Sequence, residues 1–155
     1  MYVLADGDML GSAKAVVGPG HGRKVVGRVE LDYEARCLRR KRLVTQGGAS
    51  FLVDLPQTVS LPQGAAFALE DGSAVEVTEA REPVLRIAGD LARLAWHIGN
   101  RHCPCEIHGD HLVIRADPVL EEMLARLGAR ITHSYAPFRP EGGAYGHGRT
   151  FGHSH

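Results

Sequence analysis

The chain is organised around one stretch, Trp96-His97-Ile98-Gly99-Asn100-Arg101-His102-Cys103-Pro104-Cys105. This stretch contains the only tryptophan, two of the nine histidines and two of the three cysteines among the 155 residues. Short strand patterns precede it, and strands that alternate with helices surround it. We therefore place the stretch in the second of two structural parts, where most of the candidate chemistry lies.

A helix is predicted to lead into this stretch. Its apolar residues recur at i, i+3, i+4 and i+7, the spacing of one buried helix face, and they are Leu91, Leu94, Ala95 and Ile98. Asp90 is placed to cap the start of this helix. The helix is expected to end near Gly99, so His102 is predicted to lie at a surface corner before Pro104.

The other elements of this half follow from turn and cap signals. Strands are predicted at residues 84–87, 106–108, 111–115 and 129–135. Gly109-Asp110 predicts a two-residue hairpin loop. Asp117 caps a second helix with Pro118 at its first position, and Gly128 ends it. The order β-α-β-β-α-β is that of a ferredoxin-like split βαβ unit.

The first half of the chain reads as strands without a convincing helix. Strands are predicted at residues 25–33, 38–45, 51–55, 67–69 and 75–77, and the glycines and proline of residues 11–20 suggest loops. The predicted fold class is therefore α+β, with a β-rich N-terminal domain followed by a ferredoxin-like βαββαβ C-terminal domain. The predicted bounds are 1–77 for the first domain, 78–140 for the second and 141–155 for a flexible Gly/His tail.

Charge and composition restrict the classes of function. Lys plus Arg and Asp plus Glu both number 18, so the formal net charge is zero, which argues against nucleic acid or an anionic membrane as a partner. No apolar run approaches the roughly 20 residues of a spanning helix, and no signal peptide is evident in residues 1–10. Three cysteines make a disulfide framework improbable and favour a reducing, cytoplasmic location.

A basic run interrupts the strand-rich half. Its members are Arg36, Arg39, Arg40, Lys41 and Arg42. On a strand, such a run is most often a charged edge that resists aggregation. A surface on which a partner docks is the alternative interpretation.

The histidines carry the main chemical signal, because imidazole is a common ligand of Ni, Zn and Cu at neutral pH. From the residues alone, His102 reads as a solvated corner residue, and His108 and His111 read as exposed strand ends. The tail differs, because glycines separate its histidines and the chain ends in His153-Ser154-His155. Such a segment suits a ligand that must reach a metal, bind it and release it. A remnant of a purification tag or a disordered end is the alternative.

The two neighbouring cysteines leave two further interpretations open. With His102 before them, Cys103 and Cys105 could bind a soft metal, or they could be ordinary reduced cysteines at the start of a strand. An enzyme would use one of these thiols as nucleophile and His97 or His102 as base. No residue is evident that would orient such a base, and no oxyanion-hole motif is present. Nucleotide-binding and α/β-hydrolase motifs are also absent from the sequence.

Taken together, these motifs resemble those of the urease accessory protein E family of nickel metallochaperones. The segments that carry the resemblance are 97–102 (HIGNRH), 117–124 (DPVLEEML) and 136–145 (APFRPEGGAY), which leads into the tail. A weaker match is formed by the basic run and by residues 51–56 (FLVDLP).

The resemblance implies a protein that binds Ni²⁺, with Zn²⁺ or Cu²⁺ as competitors, and delivers it to apo-urease through a GTPase partner. It implies a homodimer in which His102 meets its symmetry mate at the dimer axis. The histidines of the tail, His147, His153 and His155, supplement that site. Many family members carry histidine beside the residue that matches Asp117, whereas Ala116 and Pro118 stand there in this chain. The resemblance implies no catalytic residue.

Overall fold

The strand patterns of the sequence form two separate sheets in the computed structural model, which describes residues 9–62 and 64–142. The chain divides into two units, and in sequence they meet between Glu79 and Ala80. This boundary lies two residues after the end of the N-terminal domain that the sequence predicts.

The first unit contains a six-stranded sheet in the order β2-β6-β5-β1-β4-β3. Its strands are β1 (Met9–Val17), β2 (Val25–Leu31), β3 (Cys37–Val44), β4 (Ser50–Ser60), β5 (Ala66–Leu69) and β6 (Ala74–Glu79). β1 pairs with β4 and β2 pairs with β6 in parallel, while the other neighbours are antiparallel. The core includes the rings of Phe51 and Phe67, whose centroids lie 5.5 Å apart.

Strand β1 corrects the interpretation of Gly11 as a loop residue, whereas Gly18, Pro19 and Gly20 do lie in the connection between β1 and β2. The strand lies inside the sheet, between β5 and β4, and Ala13 is completely buried. The sequence signal is weak because the strand contains small residues and an irregular register around Gly11, whose φ is +95°. Positive φ is readily adopted only by glycine, so Gly11 allows the chain to pass through the irregular register within the strand and does not mark a loop.

Strand β3 occupies an edge of the sheet, as the first interpretation of the basic run predicts. Residues 39–42 are exposed, and Arg40 pairs with Asp54 across the strands at 3.1 Å. Arg36 is different, because it is only 4% exposed and its Nη1 donates to the backbone oxygen of Leu31 at 2.9 Å. This arginine therefore holds the turn between β2 and β3 and does not belong to the exposed basic surface.

The second unit has the element order β-α-β-β-α-β that the sequence predicts. Its elements are β7 (Glu82–Ala88), α1 (Leu91–Asn100), β8 (Glu106–Ile107), β9 (Leu112–Arg115), α2 (Pro118–Arg126) and β10 (Arg130–Ala136). The sheet has the order β10-β7-β9-β8, and all neighbouring strands are antiparallel.

Alternate residues of β7 and β9 pack against the apolar faces of both helices. The buried members of this core are Leu85, Ile87, Leu94, Ile98, Leu112, Ile114, Leu120 and Leu124. Both predicted caps are present, because Asp90 accepts from the backbone N–H of Arg93, and Asp117 accepts from Val119 and Leu120. Neither described helix has the length and apolar character required to cross a membrane.

Candidate metal centre

His102 lies at the end of α1, in a backbone conformation that side chains other than glycine seldom adopt. Its φ is +57°, and it is the single residue other than glycine with positive φ in the described chain. The N–H of His102 donates to Gly99 O at 2.9 Å, and the N–H of Cys103 donates to Ile98 O at 3.3 Å. These two bonds form a Schellman motif, which closes a helix around a left-handed residue.

The same motif closes α2, with glycine in the left-handed position. Gly128 has φ +88°, its N–H donates to Ala125 O, and the N–H of Ala129 donates to Leu124 O, both at 3.0 Å. A left-handed conformation is less favourable by roughly 1–2 kcal/mol for a residue that carries a Cβ. His102 therefore keeps an exposed imidazole at a position where glycine would be favoured. Such local strain is a known mark of functional positions.

The surface of α1 that precedes His102 has two unusual features. Trp96 is 63% exposed, and its ring contacts that of His97 edge to face, with centroids 5.0 Å apart. Gly99 is exposed within the helix, and a Cβ built on it would meet no atom within 4 Å. No steric contact within the described chain therefore requires glycine at position 99.

The cysteines after His102 pack against the core of the second unit and are free thiols. Burial raises the pKa of Cys103 and raises that of Cys105 to about 11, with a smaller contribution from Cys103 at Cys105. The Sγ of Cys105 also contacts the backbone oxygen of Glu106 at 3.3 Å. Burial thus favours the neutral thiol at both cysteines, whereas a nucleophile requires the thiolate.

The chain returns to this region after its last strand. Phe138 is completely buried, the N–H of Arg139 donates to Glu106 Oε2 at 2.7 Å, and the N–H of Glu141 donates to Cys105 O at 2.8 Å. The segment that leads into the tail is thus fixed beside the residues that follow His102. The predicted ligands His147, His153 and His155 lie outside the described residues, and their role stays a prediction.

A cavity of about 330 Å³ lies beside the start of α2. Its lining residues are Glu82, Pro83, Cys103, Arg115, Ala116, Asp117 and Leu120. Oδ1 of Asp117 accepts the cap bonds of α2, and Ala116 and Pro118 offer no side-chain ligand. Among the described residues, no group of three or more His, Cys, Asp or Glu side chains is arranged to hold a metal ion.

The hairpin between β8 and β9 brings together two histidines that the sequence patterns did not predict to meet. The rings of His108 and His111 are stacked, with centroids 4.3 Å apart and planes inclined by 10°. Spacing around a two-residue hairpin loop is the signal that could have identified this pair, because residues on either side of such a loop face each other.

Comparison with known proteins gives concordant matches over nearly the whole chain. A family model described as UreE urease accessory protein, N-terminal domain, matches residues 13–80, and the corresponding C-terminal domain model matches residues 76–155. A urease accessory protein UreE from Rhodobacter capsulatus is 58% identical over 143 residues, which cover 92% of each chain. One from Paracoccus denitrificans is 66% identical over 122 residues, which cover 79% of each chain.

Proposed function

The chain belongs to the family of the urease accessory protein UreE, and from this premise we propose that it is a nickel-binding metallochaperone that delivers Ni²⁺ to apo-urease during metallocentre assembly. Membership of the family implies a role in urease maturation. The observation that carries the more specific proposal is His102, an exposed imidazole kept in a strained position that favours glycine.

We propose that His102 binds Ni²⁺ together with the same residue of a second chain. One imidazole from each chain on a two-fold axis makes an incomplete site with open positions. Such a site releases its metal more readily than a closed site with four protein ligands, and delivery requires release. Zn²⁺ and Cu²⁺ should compete, because imidazole binds all three ions.

The surface of α1 supports a homodimer through the second unit. A glycine inside a helix is less favourable than alanine by roughly 0.5–1 kcal/mol, and within the described chain Gly99 touches nothing that a Cβ would disturb. Close approach by the helix of a second chain would account for this glycine. It would also cover the exposed ring of Trp96, which lies on the same helix.

The path of the C-terminal segment supports a contribution from the tail. The six Cα–Cα steps from Glu141 to His147 can span at most about 20 Å. Glu141 is hydrogen-bonded to Cys105, which is close in sequence to His102. Histidines of the tail can therefore reach an ion at His102. We include His147, His153 and His155 in the proposed ligand set.

The other parts of the proposal concern partners and location. We propose that the first unit docks a partner, and that delivery proceeds through a urease accessory GTPase.

The strand order of the second unit supports the ferredoxin-like interpretation of its fold. The free cysteines fit a reducing cytoplasm, and the balanced charge fits protein partners rather than nucleic acid or a membrane.

A general sensor or carrier of transition metals is the second candidate, because the ligand types alone do not select nickel. A cysteine enzyme is not supported, because both thiols near His102 have raised pKa values. No catalytic activity of the chain is therefore proposed.

The decisive experiment is calorimetric titration of Ni²⁺ into the full chain, into a chain that ends at Tyr145, and into the His102→Ala variant. His133→Ala is the matched control, because His133 is also an exposed histidine of the second unit. We expect the His102 variant to lose the high-affinity site and the control to keep it. Equal affinity in both variants would refute the proposed site.

A further inference from the structure

The stacked pair of His108 and His111, which we call the hairpin histidine pair, is held in place by the backbone. The N–H of His108 donates to the carbonyl oxygen of His111 at 3.0 Å, which closes the turn through Gly109 and Asp110. The two imidazoles therefore remain neighbours as a consequence of the hairpin itself. Their side chains differ in exposure, at 45% for His108 and 14% for His111.

Each imidazole also has its own carboxylate. His108 Nε2 lies 2.8 Å from Glu106 Oε1, and His111 Nδ1 lies 2.6 Å from Asp110 Oδ1. Both carboxylates thus lie within hydrogen-bond distance of one ring nitrogen of their own imidazole. An ionised carboxylate only accepts hydrogen bonds, so the ring nitrogen that faces it carries the hydrogen.

The lone pairs of the neutral rings are consequently directed away from the carboxylates, on Nδ1 of His108 and Nε2 of His111. A histidine that ligates a metal usually donates its other ring N–H to a carboxylate in this way, because the bond fixes the tautomer and increases the basicity of the ligand. The arrangement thus offers two imidazole ligands, each hydrogen-bonded to a carboxylate, and no third protein ligand for the metal.

From these contacts we propose that the hairpin histidine pair is a second, weaker binding site for a divalent first-row transition metal ion such as Ni²⁺, Cu²⁺ or Zn²⁺. A shared ion lies in the plane of each ring, so the stacked rings must turn out of parallel to bind it. His108, the more exposed ring, makes this turn and gives up its contact with Glu106, while His111 stays in place and keeps its bond to Asp110. Water fills the remaining coordination positions.

The site lies beside the segment that leads into the tail. Glu106 contacts His108 through Oε1 and accepts from the N–H of Arg139, a residue of that segment, through Oε2. This inference goes beyond the proposed nickel delivery, since a failure of the pair would leave the site at His102 intact.

The test uses the full-length chain with His102, His147, His153 and His155 all changed to Asn, which removes the proposed delivery ligands and keeps the length. Cu²⁺ is the probe, because it binds nitrogen ligands most strongly among these ions and its electron paramagnetic resonance spectrum counts them. We expect one Cu²⁺ per chain with two bound nitrogens. Adding His108→Asn and His111→Asn should lower the affinity at least tenfold.

Two controls make the result specific. His97→Asn together with His133→Asn removes two other histidines of the same unit and should leave the affinity unchanged. Asp110→Asn keeps both imidazoles and should weaken binding by about tenfold, since loss of an outer partner commonly has an effect of this size. The proposal is wrong if the two paired variants bind Cu²⁺ equally well, or if fewer than two nitrogens are bound. Zn²⁺ titration of the natural chain, followed through the imidazole resonances, must shift His108 and His111 together.

Discussion

His102 occupies, at the end of α1, the position that Gly128 occupies at the end of α2. Both residues lie in the left-handed region, and each is enclosed by its own pair of backbone hydrogen bonds in the same Schellman pattern. Glycine is the residue that this motif favours. The end of α2 therefore follows the backbone preference, and the end of α1 departs from it. The departure occurs at the residue that we propose as the central metal ligand.

Replacing His102 by Gly should therefore separate stability from metal binding. The variant loses the ligand and relieves the left-handed strain, although glycine also increases the entropy of the unfolded chain. We expect the free energy of unfolding to stay constant or to rise by up to about 1 kcal/mol, while nickel binding at this site disappears. Urea denaturation and calorimetric nickel titration measure the two effects.

The second helix offers the matched control. Gly128→His places a histidine in the same motif, and a Cβ there would meet no atom within 4 Å. Its effect is then that of the backbone alone, and we expect destabilisation of roughly 1–2 kcal/mol. If His102→Gly destabilised the chain as much as Gly128→His does, local strain at His102 would be disproved.

The proposed dimer predicts that Gly99 tolerates a larger residue in the monomer but not in the assembly. Gly99→Leu should weaken the dimer because a branched side chain blocks close approach of the second helix. Trp96→Ala should weaken it through loss of buried apolar surface. Sedimentation of the metal-free protein at micromolar concentration, with circular dichroism to verify folding, provides the measurement.

Val119 is the control for this surface. It is exposed like Trp96 but lies on α2, so Val119→Ala should leave the assembly unchanged. A chain that is monomeric before any substitution, and stays so with Ni²⁺, would contradict the shared site.

The order of elements in the second unit was predictable because each is marked by local chemistry. The helix ends are marked by side-chain caps and by the backbone preferences of proline and glycine, at Asp90, Asp117, Pro118 and Gly128. These signals depend only on residues that are close in sequence. Strand β1 was missed because its burial depends on partners far along the chain, and its small residues give no clear alternation. Strand pairing of this kind depends on tertiary context.

The site was predictable in the identity of its residues but not in its geometry. The motif around His102 could be recognised from the sequence, whereas its positive φ could not, because histidine rarely adopts that conformation. The stacking of His108 and His111 depends on how two rings orient across a hairpin, which residue spacing does not determine. The raised thiol pKa values depend on burial, which becomes evident only in the folded chain.

The half-buried Cys105 predicts a specific pH dependence of stability. The folded pKa of Cys105, about 11, lies above the ordinary thiol value of 9.0 because burial favours the neutral thiol. Its contribution to stability is therefore complete below pH 9 and is lost as pH rises through about 11. Urea denaturation across this range should show a decline that is smaller in Cys105→Ala.

Thiol reactivity gives an independent measure of the same effect. Alkylation at neutral pH should modify exposed Cys37 first and Cys105 last, since the thiolate is the reactive form. Nickel affinity should not change in the Cys105→Ala variant. Loss of high-affinity nickel binding in that variant would instead favour a thiolate site.

The anchored C-terminal segment predicts that the length of the tail, apart from its ligands, affects nickel affinity. Glu141 is fixed to Cys105, so the histidines of the tail act on His102 at an effective concentration set by the intervening chain. Inserting about twelve Gly and Ser residues after Gly142 roughly triples the distance in sequence from Glu141 to His147. The effective concentration should fall by about fivefold, because it decreases with roughly the −3/2 power of length. Calorimetry should show a matching loss of nickel affinity, while X-ray absorption at saturating nickel should find the same number of histidine ligands. The same residues appended after His155 are the control and should change neither quantity, and an insertion without effect would mean that the tail and His102 do not bind one ion together.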